Sequence, residues 1–102
     1  YYYILRSYDG YEWSSYTAAD EFRMNSEPTI PTSFTNLGNN LIDHTPTITW
    51  TEGTDADGDT VTTYVYVGTT STPTTVEGST ASETLNLGST VTLIDGNTYY
   101  YR

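Results

Sequence analysis

The chain has no cysteine, no lysine and no glutamine, and only one methionine and one histidine. Without cysteine there is neither a disulfide framework nor a thiolate metal site. Without lysine and glutamine, and with a single methionine, the good helix formers are thinned out. No apolar run of about 18 residues is present, so no helix that spans a bilayer is expected. No signal-peptide pattern opens the segment, and an export signal is expected to lie outside it. Positive charge is scarce: Arg6, Arg23 and Arg102 stand against thirteen acidic residues, for a net charge of −10. Such a surface repels nucleic acid, which needs cations on its phosphates. It also disfavours anionic membrane surfaces, and it attracts cations, Ca²⁺ included.

Catalysis is expected to be absent. His44 is the only histidine, it precedes Thr45-Pro46 in a turn, and nothing pairs it with a nucleophile. A paired-carboxylate hydrolase needs a cleft, which small all-β domains rarely provide.

What the chain does have is threonine and tyrosine, 22 and 11 copies, with two tryptophans. Threonine, tyrosine and valine suit a pleated, half-buried strand, and the aromatics supply large area for a core. A chain of 102 residues fits one domain and leaves little room for two. The expectation is an all-β domain.

Strands are expected at residues 1–6, 18–24, 32–37, 46–51 and 60–68, the last being the strongest. Residues 69–82 read as a loop with a short edge strand, and 83–94 as a strand interrupted at Gly88, where a bulge is one explanation. Residues 25–31 carry two prolines and little apolar content, and mark an extended linker. The chain thus divides into 1–24, the linker 25–31, and 32–102. In the first strand Tyr1, Tyr3 and Leu5 share one face. In the strand over 60–68, Val61, Thr63, Val65 and Val67 share a face expected to point inward. Tyr64 and Tyr66 lie on the other, to meet a partner or form a cross-strand ladder. The expected core residues are Trp50, Leu93, Tyr99, Tyr1, Tyr3, Val65 and Val67.

Tyr1-Tyr2-Tyr3 recurs as Tyr99-Tyr100-Tyr101, a spacing of 98 residues that matches the size of one sandwich domain. The first copy has no turn before it. The second follows the turn Asp95-Gly96-Asn97 and begins a strand. The segment reads as a repeat unit out of phase with its domain.

Several stretches resemble fibronectin type III domains. Leu93 through Tyr99 resembles the turn into that family's strand F, with Tyr99 as the "tyrosine corner" whose hydroxyl bonds back to nearby backbone. Trp50 resembles the strand B tryptophan of its core. Residues 54–69 look like the B–C loop and strand C of prokaryotic members, archaeal ones among them. Residues 7–14 resemble their F–G loop and residues 19–22 their strand G. The resemblance implies an immunoglobulin-like, fibronectin type III β-sandwich of about seven strands. The strand order departs from the family: F and G come first, then A to E, then half of F. This implies either circular permutation or strands shared with neighbouring repeats. Residues 1–24 then complete one sandwich, and 32–102 build the next.

Two surface features invite a functional reading. Asp55, Asp57 and Asp59 alternate around Gly58, a spacing that suits an oxygen-seeking cation such as Ca²⁺. The EF-hand pattern is incomplete, because Tyr66 stands where the bidentate glutamate belongs. The same residues also read as a solvated turn with side-chain-to-backbone bonds. Tyr11, Trp13 and Tyr16, with Tyr8, cluster in the first hairpin, where they can meet a neighbouring subunit or a glycan. Trp13 can equally fold over the sandwich end and close the core. The Thr/Ser content permits O-glycosylation, whereas no N-glycosylation sequon exists.

Three roles follow as expectations, all without an enzyme activity. The first is a structural repeat of an extracellular, cell-surface or filament protein, whose partners are identical repeats. The second is an adhesive or carbohydrate-binding module, or a spacer, in a secreted multidomain protein. The third is a calcium-stiffened linker. No organic cofactor is expected.

Overall fold

The computed structural model describes all 102 residues and contains no helix. No helix is long and apolar enough to cross a membrane. Seven strands form in chain order: β1 Tyr2–Tyr3, β2 Asp20–Glu21, β3 Thr47–Thr49, β4 Thr63–Gly68, β5 Thr75–Thr80, β6 Thr84–Asn86 and β7 Tyr100–Tyr101. They pair antiparallel in three sheets, β1–β2, β3–β6 and β5–β4–β7.

The molecule is extended, measuring 82 × 22 × 18 Å. Its radius of gyration is 24.1 Å, against about 13 Å for a compact chain of this length. The extension has a clear source: β1 and β2 contact each other and no other strand. Residues 1–22 make one long hairpin, held by mutual Tyr1–Phe22 backbone bonds, by Thr17 N–H to the Leu5 carbonyl, and by Ser14 N–H to the Ser7 carbonyl. Every residue of that hairpin is exposed.

The remaining sheets share one core. Ile48 and Trp50 come from the β3 layer, Val65 and Val67 from β4, and Leu87 from just past β6. Burying each of these side chains contributes about 1.5–3 kcal/mol. The alternation in β4 explains its orientation. Val65 and Val67 are buried while Tyr64, on the opposite face, is 55% exposed. Leu93 and Tyr99 are partly buried and pack against this core. Tyr1 and Tyr3 do not belong to it. They are 78% and 47% exposed, because the face they share has no second layer over it within the chain.

Residues 25–31 form no strand, and backbone bonds tie Thr29 and the residues after it to the 49–54 segment. Thr29 N–H bonds the Thr54 carbonyl, Thr32 and Thr51 exchange bonds, and Thr35 N–H bonds the Thr49 carbonyl. Gly53 permits this approach: a Cβ there would sit 2.0 Å from the Thr29 oxygen. Residues 69–82 hold a loop and then β5, a six-residue strand at the edge of its sheet, as expected in place though longer than a short piece. The strand expected over 83–94 is interrupted at Gly88, but by a turn, and the bulge offered as its explanation falls elsewhere. The ladder shifts register between Val65 and Tyr66, leaving Glu77 as the extra residue in β5, whereas β6 simply ends at Asn86 before Gly88 turns with φ +88°.

Candidate functional site

The three aspartates come together. One carboxylate oxygen from each of Asp55, Asp57 and Asp59 lies within 4.8 Å of the others. Asp55 Oδ1 accepts the backbone N–H of Asp57 at 2.8 Å and of Asp59 at 3.2 Å, while its carbonyl accepts Gly58 N–H. Asp57 reaches out of the turn. Its Oδ1 meets Arg23 Nη2 at 3.1 Å, and its Oδ2 accepts the N–H of Ser26. A cation entering the cluster has to compete with Arg23 for Asp57. What the group does in the folded chain is clasp the end of the hairpin to the rest of the molecule.

The hairpin aromatics form two stacks. Near the tip, Tyr8 and Trp13 stack with centroids 4.6 Å apart. The Arg6 guanidinium sits 4.0 Å over Trp13 and 4.7 Å over Tyr16, close enough for cation–π attraction. Trp13 is 56% exposed and lies in the hairpin, away from the core it was a candidate to close. Tyr11, at 92%, is almost wholly in solvent. Asp9 turns the tip by accepting the N–H groups of Glu12 and Tyr11, which hold its carboxyl below the usual range. At the open end, Tyr1 stacks on Phe22 at 5.6 Å, with Tyr3 at 6.4 Å. The Tyr3 hydroxyl donates to Asp20 Oδ2 at 2.9 Å. That bond, with the N–H of Glu21, lowers the Asp20 pKa.

Beside β4 runs an open groove of about 540 Å³, lined mainly by Ile30, Phe34, Ile48, Trp50, Val65 and Tyr101. Its walls come from both core layers. It follows the part of β4 that β7 does not cover. Pairing between them stops at the two bonds exchanged by Tyr66 and Arg102, 2.9 and 3.0 Å long.

The second tyrosine triplet is anchored quite differently from the first. The Tyr99 hydroxyl bonds the Thr92 carbonyl and the Ile94 N–H, each at 3.2 Å, closing the turn between them. Tyr101 lies two residues on, the same-face spacing of a strand, and packs against the core with Tyr99, a placement readable from Tyr99. A second feature had no apolar signal at all. Glu77 is only 3% exposed. Its carboxylate accepts Ser89 N–H, Ser89 Oγ–H and Thr90 N–H on one oxygen and Val91 N–H on the other. His44 Nε2 bonds Asp95 Oδ1 at 2.8 Å on the open surface, which fastens two turns to each other. No family model, curated protein or solved structure matches this chain.

Proposed function

We propose that this chain is a structural repeat module of an extracellular surface protein or filament, joined head-to-tail to identical copies of itself. The observation that carries this reading is the hairpin of residues 1–22, which projects from the body with an apolar face and no partner in its own chain. A lone two-stranded hairpin is marginal in water, and the aromatic face of Tyr1, Tyr3 and Phe22 that it exposes suits an interaction site. A heterologous contact that does not close on itself makes a filament.

On this reading the body is an immunoglobulin-like, fibronectin type III-type sandwich. Two layers sharing Ile48, Trp50, Val65, Val67 and Leu87, and the Tyr99 hydroxyl bonded back to Thr92, support it. The chain acts without catalysis and outside the cell. The test is sedimentation equilibrium of the 102-residue chain over a wide concentration range. Mass rising with concentration is the expected result, and a strict monomer throughout ends the proposal.

Tyr11 and the Tyr8–Trp13 stack favour a second reading, a glycan-binding or adhesive module. Binding on a glycan array that is lost in Tyr11→Ala and Trp13→Ala would favour that role over assembly.

A further inference from the structure

A second cavity opens at the end of the body where the loop of residues 38–46 meets the turn of residues 94–98. We infer that it is a binding site for a small organic amine, an ammonium group carried on an apolar body. The site does not depend on contact between copies and goes beyond the head-to-tail reading.

The cavity is built from fixed parts. Its volume is about 580 Å³, within the roughly 300–1,000 Å³ of small-molecule sites. Its floor is the core itself. Val67 and Leu87 line it and are 1% and 3% exposed, and Leu93 packs beside them. The loop that forms one wall is fastened at both ends. Where it starts, Leu37 N–H donates to the Tyr101 hydroxyl at 3.2 Å and Gly38 N–H to Asn36 Oδ1 at 3.0 Å. Where it ends, Leu87 N–H donates to the Pro46 carbonyl at 2.9 Å. The His44 carbonyl lies so close to Gly88 that a Cβ there would sit 2.2 Å from its oxygen. The opposite wall is the turn that the Tyr99 hydroxyl closes. The 2.8 Å bond between His44 Nε2 and Asp95 Oδ1 joins the two walls.

The rim selects charge. It carries two carboxylates, Asp43 and Asp95, and the amides of Asn39, Asn40 and Asn97. None of the three arginines lines the cavity, so His44 is the only group there that can be positive. Asp43 Oδ1 accepts the Thr45 N–H at 2.8 Å and its hydroxyl at 3.2 Å, and Asp95 Oδ1 is taken by His44. The Oδ2 of each has no hydrogen-bond partner in the chain. Such a rim repels an anion. It favours a donor that is itself charged, because charge-assisted bonds are about twice as strong as neutral ones. An apolar body below that head covers Val67, Leu87 and Leu93 and gains by leaving water.

Three probes of one shape test the site at pH 7: cyclohexylmethylamine, cyclohexylmethanol and cyclohexanecarboxylate. Each is titrated into the 102-residue chain while backbone amide shifts are followed by NMR. Salt at about 0.15 M screens the long-range pull of the acidic surface. The amine is expected to bind about tenfold more tightly than the alcohol, and the carboxylate to bind least. Saturable shifts should centre on residues 39–44 and 94–98. Asp43 is exposed, and Asp43→Asn keeps an oxygen for Thr45. With one of two carboxylates gone, that variant should cut the amine's advantage to about threefold and leave the alcohol unchanged. An alcohol that binds the parent chain as tightly as the amine overturns the ammonium head. Shifts that never saturate, or that centre on Asp55 to Asp59, show only an acidic surface attracting amines and overturn the cavity as the site. No shift with any probe overturns it too. None of these outcomes changes the mass found by sedimentation, so the head-to-tail reading stands or falls separately.

Discussion

The Tyr101 hydroxyl donates a 2.6 Å hydrogen bond to the Thr35 carbonyl, and the Leu37 N–H donates back to it at 3.2 Å. One phenol thereby ties β7, in the β4 layer, to the segment that flanks β3 in the other. Tyr101→Phe keeps the ring and removes both bonds. Leaving two part-buried backbone groups without partners is expected to cost about 1–3 kcal/mol. A urea melt checks this: the midpoint should fall with an unchanged slope.

Glu77 should make stability depend on acid. Burial pushes its pKa up, but the N–H groups of Thr90, Val91 and Ser89 and the Ser89 hydroxyl outweigh burial and hold it below 4.5. A carboxyl with a depressed folded pKa is more easily protonated in the unfolded chain. Its contribution is complete above the unfolded pKa and is lost as pH falls through the folded one. Melting temperature should therefore drop as pH is lowered from about 5, and Glu77→Gln should flatten that part of the profile. At neutral pH the same variant should be less stable by about 1–3 kcal/mol, since an amide faces the Val91 N–H with a donor or leaves it unpaired. An acid limb as steep in Glu77→Gln as in the parent chain would contradict this role.

The Arg23–Asp57 clasp should matter more for the join than for the fold. Arg23 is 69% exposed, and pairs with one partner in solvent are worth up to about 1 kcal/mol. Asp57→Asn should leave the melting temperature nearly unchanged. It should speed proteolysis between Met24 and Pro28 by roughly fivefold, the rate ratio that 1 kcal/mol gives. The measurement is limited digestion followed by mass spectrometry.

Assembly should strengthen with salt. Copies carrying −10 each repel one another, and the screening length shrinks from about 30 Å at 0.01 M to about 8 Å at 0.15 M ionic strength. Any apolar burial between copies is affected little by that change. Weight-average mass by sedimentation should rise with added sodium chloride. A fall would point to ion pairing, rather than aromatic burial, as what joins the copies.

Much of the strand pattern was legible because tyrosine, valine and tryptophan alternate. Val65 and Val67 are two apart in β4, and Ile48 and Trp50 are two apart at β3, so that each pair shares one face could be read from spacing. The full extent of β5 could not. Its buried position is a carboxylate, Glu77, whose partners Ser89, Thr90 and Val91 come from a distant loop. Hydropathy sees such a residue as surface. The aspartate turn was visible in its alternation, but Arg23 and Ser26, which claim Asp57, lie more than thirty residues before it. Tyr1 and Tyr3 illustrate a different limit. Alternation gives them a face meant for burial, yet it does not state which molecule supplies the cover, and in the single chain that face is bare.

The 82 Å length against a 22 × 18 Å cross-section makes each copy a rod about four times longer than it is wide. A rod of that shape drags through solvent as a heavier sphere does. It elutes early from a sizing column even when alone, so elution volume would report a false dimer. Light scattering, which weighs particles regardless of outline, gives the true stoichiometry.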